Sequence, residues 1–255
     1  MIPNPIRKVL SSMRAHRVRA LLMGGQACVF YGAAEFSRDT DLAILADAAN
    51  LARLRRALAD LQAEPIAVPP CELKYLRRGH ALHFRCQHPE AWRMRVDVMS
   101  KMRGVEGFAK LWQRRTVIKL PDGTRCDLLA LSDLVRAKKT QRDKDWPMIR
   151  RLVEAHYFEH QGGPAPAQVR FWLRELRSPQ LLMETARHHP QVCRRLTPRR
   201  PLLALALLGK TAKLERALTA EETGERDRDR RHWLPLRAEL EKLRHAKAPG
   251  VEPGH

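Results

Sequence analysis

Asp39 and Asp41 stand one residue apart in Arg38-Asp39-Thr40-Asp41-Leu42. Side chains on a strand alternate with period two, so two carboxylates at this spacing share one face. Like charges this close repel unless a cation lies between them. Donors that are all oxygen favour a hard divalent ion, magnesium first. Upstream, Gly24-Gly25 follows the apolar run Ala20-Leu21-Leu22-Met23 and precedes a helix-like stretch. A turn of that kind lets backbone N–H groups approach a phosphate. A phosphate turn feeding a metal-carboxylate strand is the outline of phosphoryl or nucleotidyl transfer.

The elements that must position these residues can be read along the chain. A short basic helix is expected over 5–15, a buried strand over 19–23, a helix from Gln26 to Ala34 and a second strand from Asp41 to Leu45. Leu51, Leu54, Leu58 and Leu61 recur at helical spacing, which makes 47–62 an amphipathic helix with Arg53, Arg55 and Arg56 outward. Pro65, Pro69 and Pro70 break the chain into a loop. Strands follow at 80–86 and 93–99. In the second of these Met94, Val96 and Val98 point one way and Asp97 the other. Residues 104–112 read as helix. Thr116 to Leu120 and Arg125 to Leu129 form a hairpin through Pro121-Asp122-Gly123-Thr124. Ser132 is a candidate cap for a basic helix, Asp133 to Thr140, and Pro147 suits the first turn of a helix over 146–157.

Gly162-Gly163-Pro164 reads as a linker, after which helices are expected at 165–176, 179–187, 200–218 and 233–246. The alternating charges of Glu221 to Arg231 suggest a solvated connection, and the tail 247–255 a disordered end. The expected organisation is a domain over 1–160, a helical region over 165–246 and that tail. The fold class is α+β: a small mixed sheet flanked by helices, followed by a helical C-terminal region.

Composition narrows the partners. The 255 residues are 44% apolar, and 48 Lys+Arg against 28 Asp+Glu leave a net charge of +20. That charge points to a polyanion, RNA or DNA ahead of an anionic membrane; its plain alternative is a solvated basic surface. Cys28, Cys71, Cys86, Cys126 and Cys193 are odd in number and lack C-x-x-C spacing, so a reducing cytoplasm without disulfides or a zinc site is expected. The longest apolar stretch, Leu202 to Leu208, is too short to span a bilayer, and Met1-Ile2-Pro3-Asn4-Pro5 has no signal-peptide core. His80, His83 and His88 show no metal-ligand spacing, His188-His189 reads as surface, and Trp92, Trp112 and Trp146 read as packing residues.

Met23-Gly24-Gly25, then Asp39-Thr40-Asp41-Leu42, then Asp97 on a later strand resembles the polymerase-beta-like nucleotidyltransferase superfamily over about 20–145. The resemblance implies that Asp39, Asp41 and Asp97 hold two magnesium ions, with Asp97 helping to deprotonate the attacking hydroxyl, and that Gly24 and Gly25 cradle the β/γ-phosphates of an NTP. The family often has Ser after the first glycine. Here Gly25 and then Gln26 follow, which moves phosphate contacts to backbone N–H groups or to Gln26. A second stretch, Leu134 to Asp145, resembles the Leu-x-x-x-Lys and Arg-x-Lys-Asp segments of nucleotidyltransferase toxins from abortive-infection and toxin–antitoxin systems. By that resemblance Lys138, Lys139, Arg142 and Lys144 would face the triphosphate across a cleft from the aspartates. The downstream Asp of the toxin motif is absent, and Met148 stands in its place.

Two functions remain in view. One is a magnesium-dependent nucleotidyltransferase placing a nucleotide on a hydroxyl, with a tRNA-like RNA as the expected acceptor, a protein hydroxyl as another and an antitoxin protein as a possible partner. The other is a nucleic-acid-binding protein on the same scaffold without catalysis. The plain readings of the motifs are a strand pair between Asp97 and Arg95, surface ion pairs between Asp39, Asp41 and Arg38, and a solvated basic helix.

Overall fold

The computed structural model describes residues 4–34, 36–119, 123 and 125–247. Among them seven strands form one mixed sheet: β1 Ala20–Met23, β2 Asp39–Ile44, β3 Ala63–Pro65, β4 Leu82–Cys86, β5 Arg95–Met99, β6 Thr116–Lys119 and β7 Arg125–Leu128. Their order is β3-β4-β5-β2-β1-β7-β6. β2 runs antiparallel to β1 and parallel to β5, and β1 runs parallel to β7. The other neighbours are antiparallel.

The helices of the first part are α1 Asn4–Ala15, α2 Gly24–Phe30, α3 Ala48–Asp60, α4 Leu73–Arg78, α5 Phe108–Gln113, α6 Leu131–Ala137 and α7 Asp145–His160. The C-terminal helices are α8 Pro166–Glu175, α9 Pro179–His188, α10 Pro190–Leu196, α11 Leu203–Leu207 and α12 Thr211–Lys247. The molecule is therefore the expected α+β type, a mixed sheet with helices and a helical C-terminal region.

The sheet is central because its middle strands are apolar where they face helices. Leu21, Ile44, Val96, Val98 and Leu128 are fully buried. α3 forms as its leucine spacing requires, with Leu51, Leu54 and Leu58 inward. Asp47 caps it, its carboxylate accepting the Asn50 N–H at 2.6 Å. Asn50 is itself buried. Its amide bonds Arg19 O, Leu45 O and Arg19 N–H, which ties the start of α3 to the ends of β1 and β2.

Several expectations are corrected. The helix expected over Gln26 to Ala34 starts at Gly24 and stops at Phe30. The proline loop contains edge strand β3 and leads into α4. Ser132 is not a cap: the helix starts one residue earlier, and Ala130 precedes it without a side-chain bond. Trp92 does not pack against a helix; it is 59% exposed. The stretch expected as one helix over 200–218 divides into α11 and the start of α12. Glu221 to Arg231, expected as a solvated connection, lies inside α12, a helix of 37 residues that also carries Pro235. Alternating charge alone suggests solvation, whereas Glu221, Glu225, Arg226 and Asp229 find partners on other elements. The expected β6–β7 turn, apart from Gly123, and the tail from 248 lie outside the described residues.

Candidate active site

β2 and β5 lie side by side in parallel, with Asp39 opposite Arg95 and Asp41 opposite Asp97. Period two then places Asp39, Asp41 and Asp97 on one face of the sheet. Met23, the end of β1, pairs with Asp41 from the other side.

Gly24 turns the chain at this point with φ +66. A Cβ built on it would stand 1.8 Å from Asp41 Oδ2, far closer than non-bonded heavy atoms approach. The left-handed φ and the carboxylate thus both demand glycine. A Cβ on Gly25 would meet Ser37 Oγ at 2.7 Å. The Gly25 N–H bonds the Asp41 carboxylate. In this structure the glycine pair makes room for Asp41 and donates to it.

Asp41 is under-compensated. Burial pushes its carboxyl up to about 6, the Asp97 and Asp39 charges add to the shift, and Lys138 and the Gly25 N–H offset only part of it. Among the described residues neither Asp39 nor Asp41 has an ion-pair partner, so the expected pairing with Arg38 is not made. Arg38 lies instead over the ring of Phe36, 5.8 Å from its centroid. Asp97 is treated differently. Burial would raise it, but hydrogen bonds from His83 and Arg95 outweigh burial and hold it below the usual carboxylate range. Both bonds fall on Oδ1, from Arg95 Nε and His83 Nδ1, each at 2.8 Å. The plain strand pairing of Asp97 with Arg95 is therefore present, within the same face as Asp39 and Asp41.

A cleft of about 550 Å³ opens over this face, lined by the three aspartates, Gly24 and Gly25 on one side and Lys138, Arg142 and Lys144 on the other. Asp145, the first residue of α7, organises the second wall. It accepts from Lys138 Nζ at 3.1 Å, Thr140 Oγ1 at 2.6 Å and Arg142 Nε at 2.9 Å. Burial raises its carboxyl, but the Lys138 charge and the Arg142 and Thr140 bonds bring it below its ordinary value. Lys138 is buried, not part of a solvated helix.

Two expected nucleotide contacts lie elsewhere. Lys139 turns from the cleft to Glu175 of α8, with Nζ at 2.7 Å from Oε2. α6 ends at Ala137, so Lys138 closes its last turn by bonding Leu134 O while Lys139 lies beyond the helix and leaves toward α8. Gln26 is buried beneath the turn, and its Oε1 has no hydrogen-bond partner.

A second hollow of about 470 Å³ lies between the sheet edge and α12. Asp41, Asp97, Arg95 and Arg142 line it as well, together with Met102 and Trp233. The carboxylates thus stand where two hollows meet. α12 is held over the second hollow by Asp229, which bonds Arg103 Nε, the Gln141 N–H and Trp233 Nε1. His80 and Arg78 pair with Glu239 further along.

Oxygen-only donors suit a hard divalent cation in kind. They are not closed around one: among the described residues no three His, Cys, Asp or Glu side chains are grouped so as to hold a metal ion. Asp97 is drawn instead to Arg95 and His83.

Sequence reasoning missed His83 and Asp145 as the organiser of the basic wall. The first is a cross-strand neighbour of Asp97, which the period of a single strand does not show. No protein-family model matches the chain, and no curated protein matches it significantly. Among the described residues no helix is long and apolar enough to cross a membrane.

Proposed function

We propose that the chain is a divalent-cation-dependent nucleotidyltransferase that moves a nucleotide from an NTP to a hydroxyl, with a tRNA-like RNA as the acceptor. The reading rests above all on one observation: three same-face carboxylates, two of them without ion-pair partners, share a cleft with Lys138, Arg142 and Lys144. Asp39 and Asp41 would hold the cation, and Asp97 would join them by giving up part of its bond to Arg95. When bound, such an ion lowers the pKa of the attacking hydroxyl and offsets charge on the departing pyrophosphate.

The chain's own residues supply the rest. Lys138, Arg142 and Lys144 bind the triphosphate, with Arg142 and Lys138 fixed in direction by Asp145. The acceptor hydroxyl approaches from the hollow under α12, attacks the α-phosphorus, and the α–β P–O bond breaks to release pyrophosphate. The hydroxyl proton passes to the Asp41–Asp97 pair. Excess positive charge favours an RNA acceptor, and a polypeptide hydroxyl or a toxin role with an antitoxin partner would be distinguished by the acceptor assay.

A second reading has its own support. Asp97 is already paired with Arg95 and hydrogen-bonded to His83, as in a binding protein that has lost catalysis. The test is transfer from each of the four α-labelled NTPs, with Mg²⁺, to total tRNA, for wild type and Asp41→Ala. Label on RNA that disappears in the variant is the expected result. Label on protein alone moves the acceptor to a polypeptide. Bound tRNA without label, across RNA and protein acceptors, sinks the enzyme reading in favour of the binding one.

A further inference from the structure

On the opposite face of the sheet lies a separate cavity of about 400 Å³. Its floor includes Leu22 and Leu42, which pair across β1 and β2 one residue away from Met23 and Asp41. Alternation therefore puts it across the sheet from the carboxylates. Its walls carry Arg14, Arg17, Arg19 and Arg125 beside Trp112. Among the described residues none of these four arginines makes an ion pair. The one carboxylate in the wall, Asp127, is taken by Arg115 Nε at 2.6 Å. All four arginines are exposed, and a cluster of unpaired guanidinium groups attracts anions.

Arg17 adds an independent sign. It occupies the left-handed position that ends α1, with φ 54. The Arg17 N–H bonds Arg14 O and the Val18 N–H bonds Met13 O, the bond pattern in which glycine is the usual residue. An arginine here works against backbone preference, so its side chain is the reason for its presence. Trp112 stacks on Phe108, 5.6 Å between centroids, and carries the Arg19 guanidinium at 5.5 Å and that of Arg115 at 4.2 Å, so the surface it offers is a ring layered with guanidinium planes. A cavity of this size exceeds a lone phosphate and lies within the range of small-molecule sites, roughly 300–1,000 Å³.

We propose that this cavity is a second nucleotide-binding site: the base stacks on the Arg19 guanidinium layered over Trp112, and the phosphate is held by Arg14, Arg17 and Arg125. The nucleotide is either free or one unit of an RNA strand. The site does not depend on the activity of the carboxylate face.

The test measures binding of AMP and of an eight-residue single-stranded RNA in EDTA. It compares wild type, Arg150→Ala as an exposed arginine away from both sites, and the double variant Arg17→Gly, Arg19→Gln. Arg17→Gly relieves the strained cap, so a folding defect is not expected. Affinity should fall at least about tenfold in the double variant, the scale of one lost charge-assisted contact, and stay unchanged in Arg150→Ala. Loss for AMP alone assigns the site to a free nucleotide; loss for RNA, with or without AMP, assigns it to a strand. Unchanged affinity in the double variant overturns the proposal. So does displacement by inorganic phosphate as effective as by AMP, since the base would then contribute nothing.

Discussion

The central strand at Asp39 and Asp41 and the middle of α12 both gather carboxylates, and the fold treats them in opposite ways. Along α12, Glu221 meets Arg177 and Arg200, Glu225 meets Arg103, and Asp229 meets Arg103 from a nearly buried position. These groups are compensated inside the chain, and their carboxyls at 221 and 225 lie below the ordinary value because arginine partners outweigh burial. On the sheet, Asp41 is pushed the other way by burial and by its own kind. A compensated charge holds two parts of a molecule together. An uncompensated one costs stability, and that cost is offset only when something binds.

The sharpest way to break this contrast is to remove a compensated charge. Asp229→Ala would leave Arg103 half-satisfied and free the Gln141 N–H and the Trp233 indole together. Breaking a buried pair from one side costs about 3–5 kcal/mol. A melting-temperature drop near 10 °C is the expected outcome, at roughly 2–4 °C per kcal/mol for a chain of this size. A drop under 2 °C would mean that α12 is not held to the sheet by this carboxylate.

Gly24→Ala attacks the opposite region. The added carbon collides with Asp41 and sits at a left-handed φ, which costs about 2 kcal/mol. It also displaces the carboxylate, so transfer activity should fall at least as far as stability alone would suggest, on the order of 100-fold. Wild-type turnover in a stably folded Gly24→Ala protein would show that the glycine only shapes a turn.

Asp41→Asn should move stability in the opposite direction. The folded carboxyl titrates near 6, above its ordinary value of 3.8. The folded state therefore holds the proton more tightly, and stability declines as pH rises between those two values. At pH 7 the penalty is fully present, on the order of 2 kcal/mol once solvent screening is allowed for. The asparagine variant should be more stable than wild type by that amount at pH 7 and equal to it below about pH 4, read from urea midpoints across pH. Excess Mg²⁺ should then stabilise wild type and not the variant. A variant less stable than wild type at pH 7 would show that Asp41 is already compensated.

The carboxylate face was legible because its determinants are local. A glycine pair and an i, i+2 aspartate pair need only their own strands, and Asp97 needs only the parity of its own. Which neighbours these residues have was not legible. Parallel pairing brings Asp97 to Asp41, and His83 reaches Asp97 from a third strand; both depend on strand order. The charge run 221–231 was misread for the same reason, because a solvated charge and a paired one look alike until their partners are placed. Lys138 and Lys139 part where α6 ends, toward Asp145 and Glu175 on later helices, and those partners are set by packing.

The smallest effect tests whether burial, and not ion-pair geometry, separates the two regions. Arg150 Nε and Glu154 Oε1 lie 2.8 Å apart at i, i+4 on α7, as close as Arg103 Nη2 and Glu225 Oε2. Arg150 is 58% exposed where Arg103 is 17% exposed. Water already solvates the Arg150 guanidinium, so losing it should cost less than about 0.5 kcal/mol. Arg150→Ala should melt within 1–2 °C of wild type, while Arg103→Ala, which takes an ion-pair partner from both Glu225 and Asp229, falls several times further. Equal losses would mean that distance alone sets the worth of these pairs. The unpaired aspartates of the cleft would then be expected to cost the fold little, and the argument that they await a cation would lose its energetic basis.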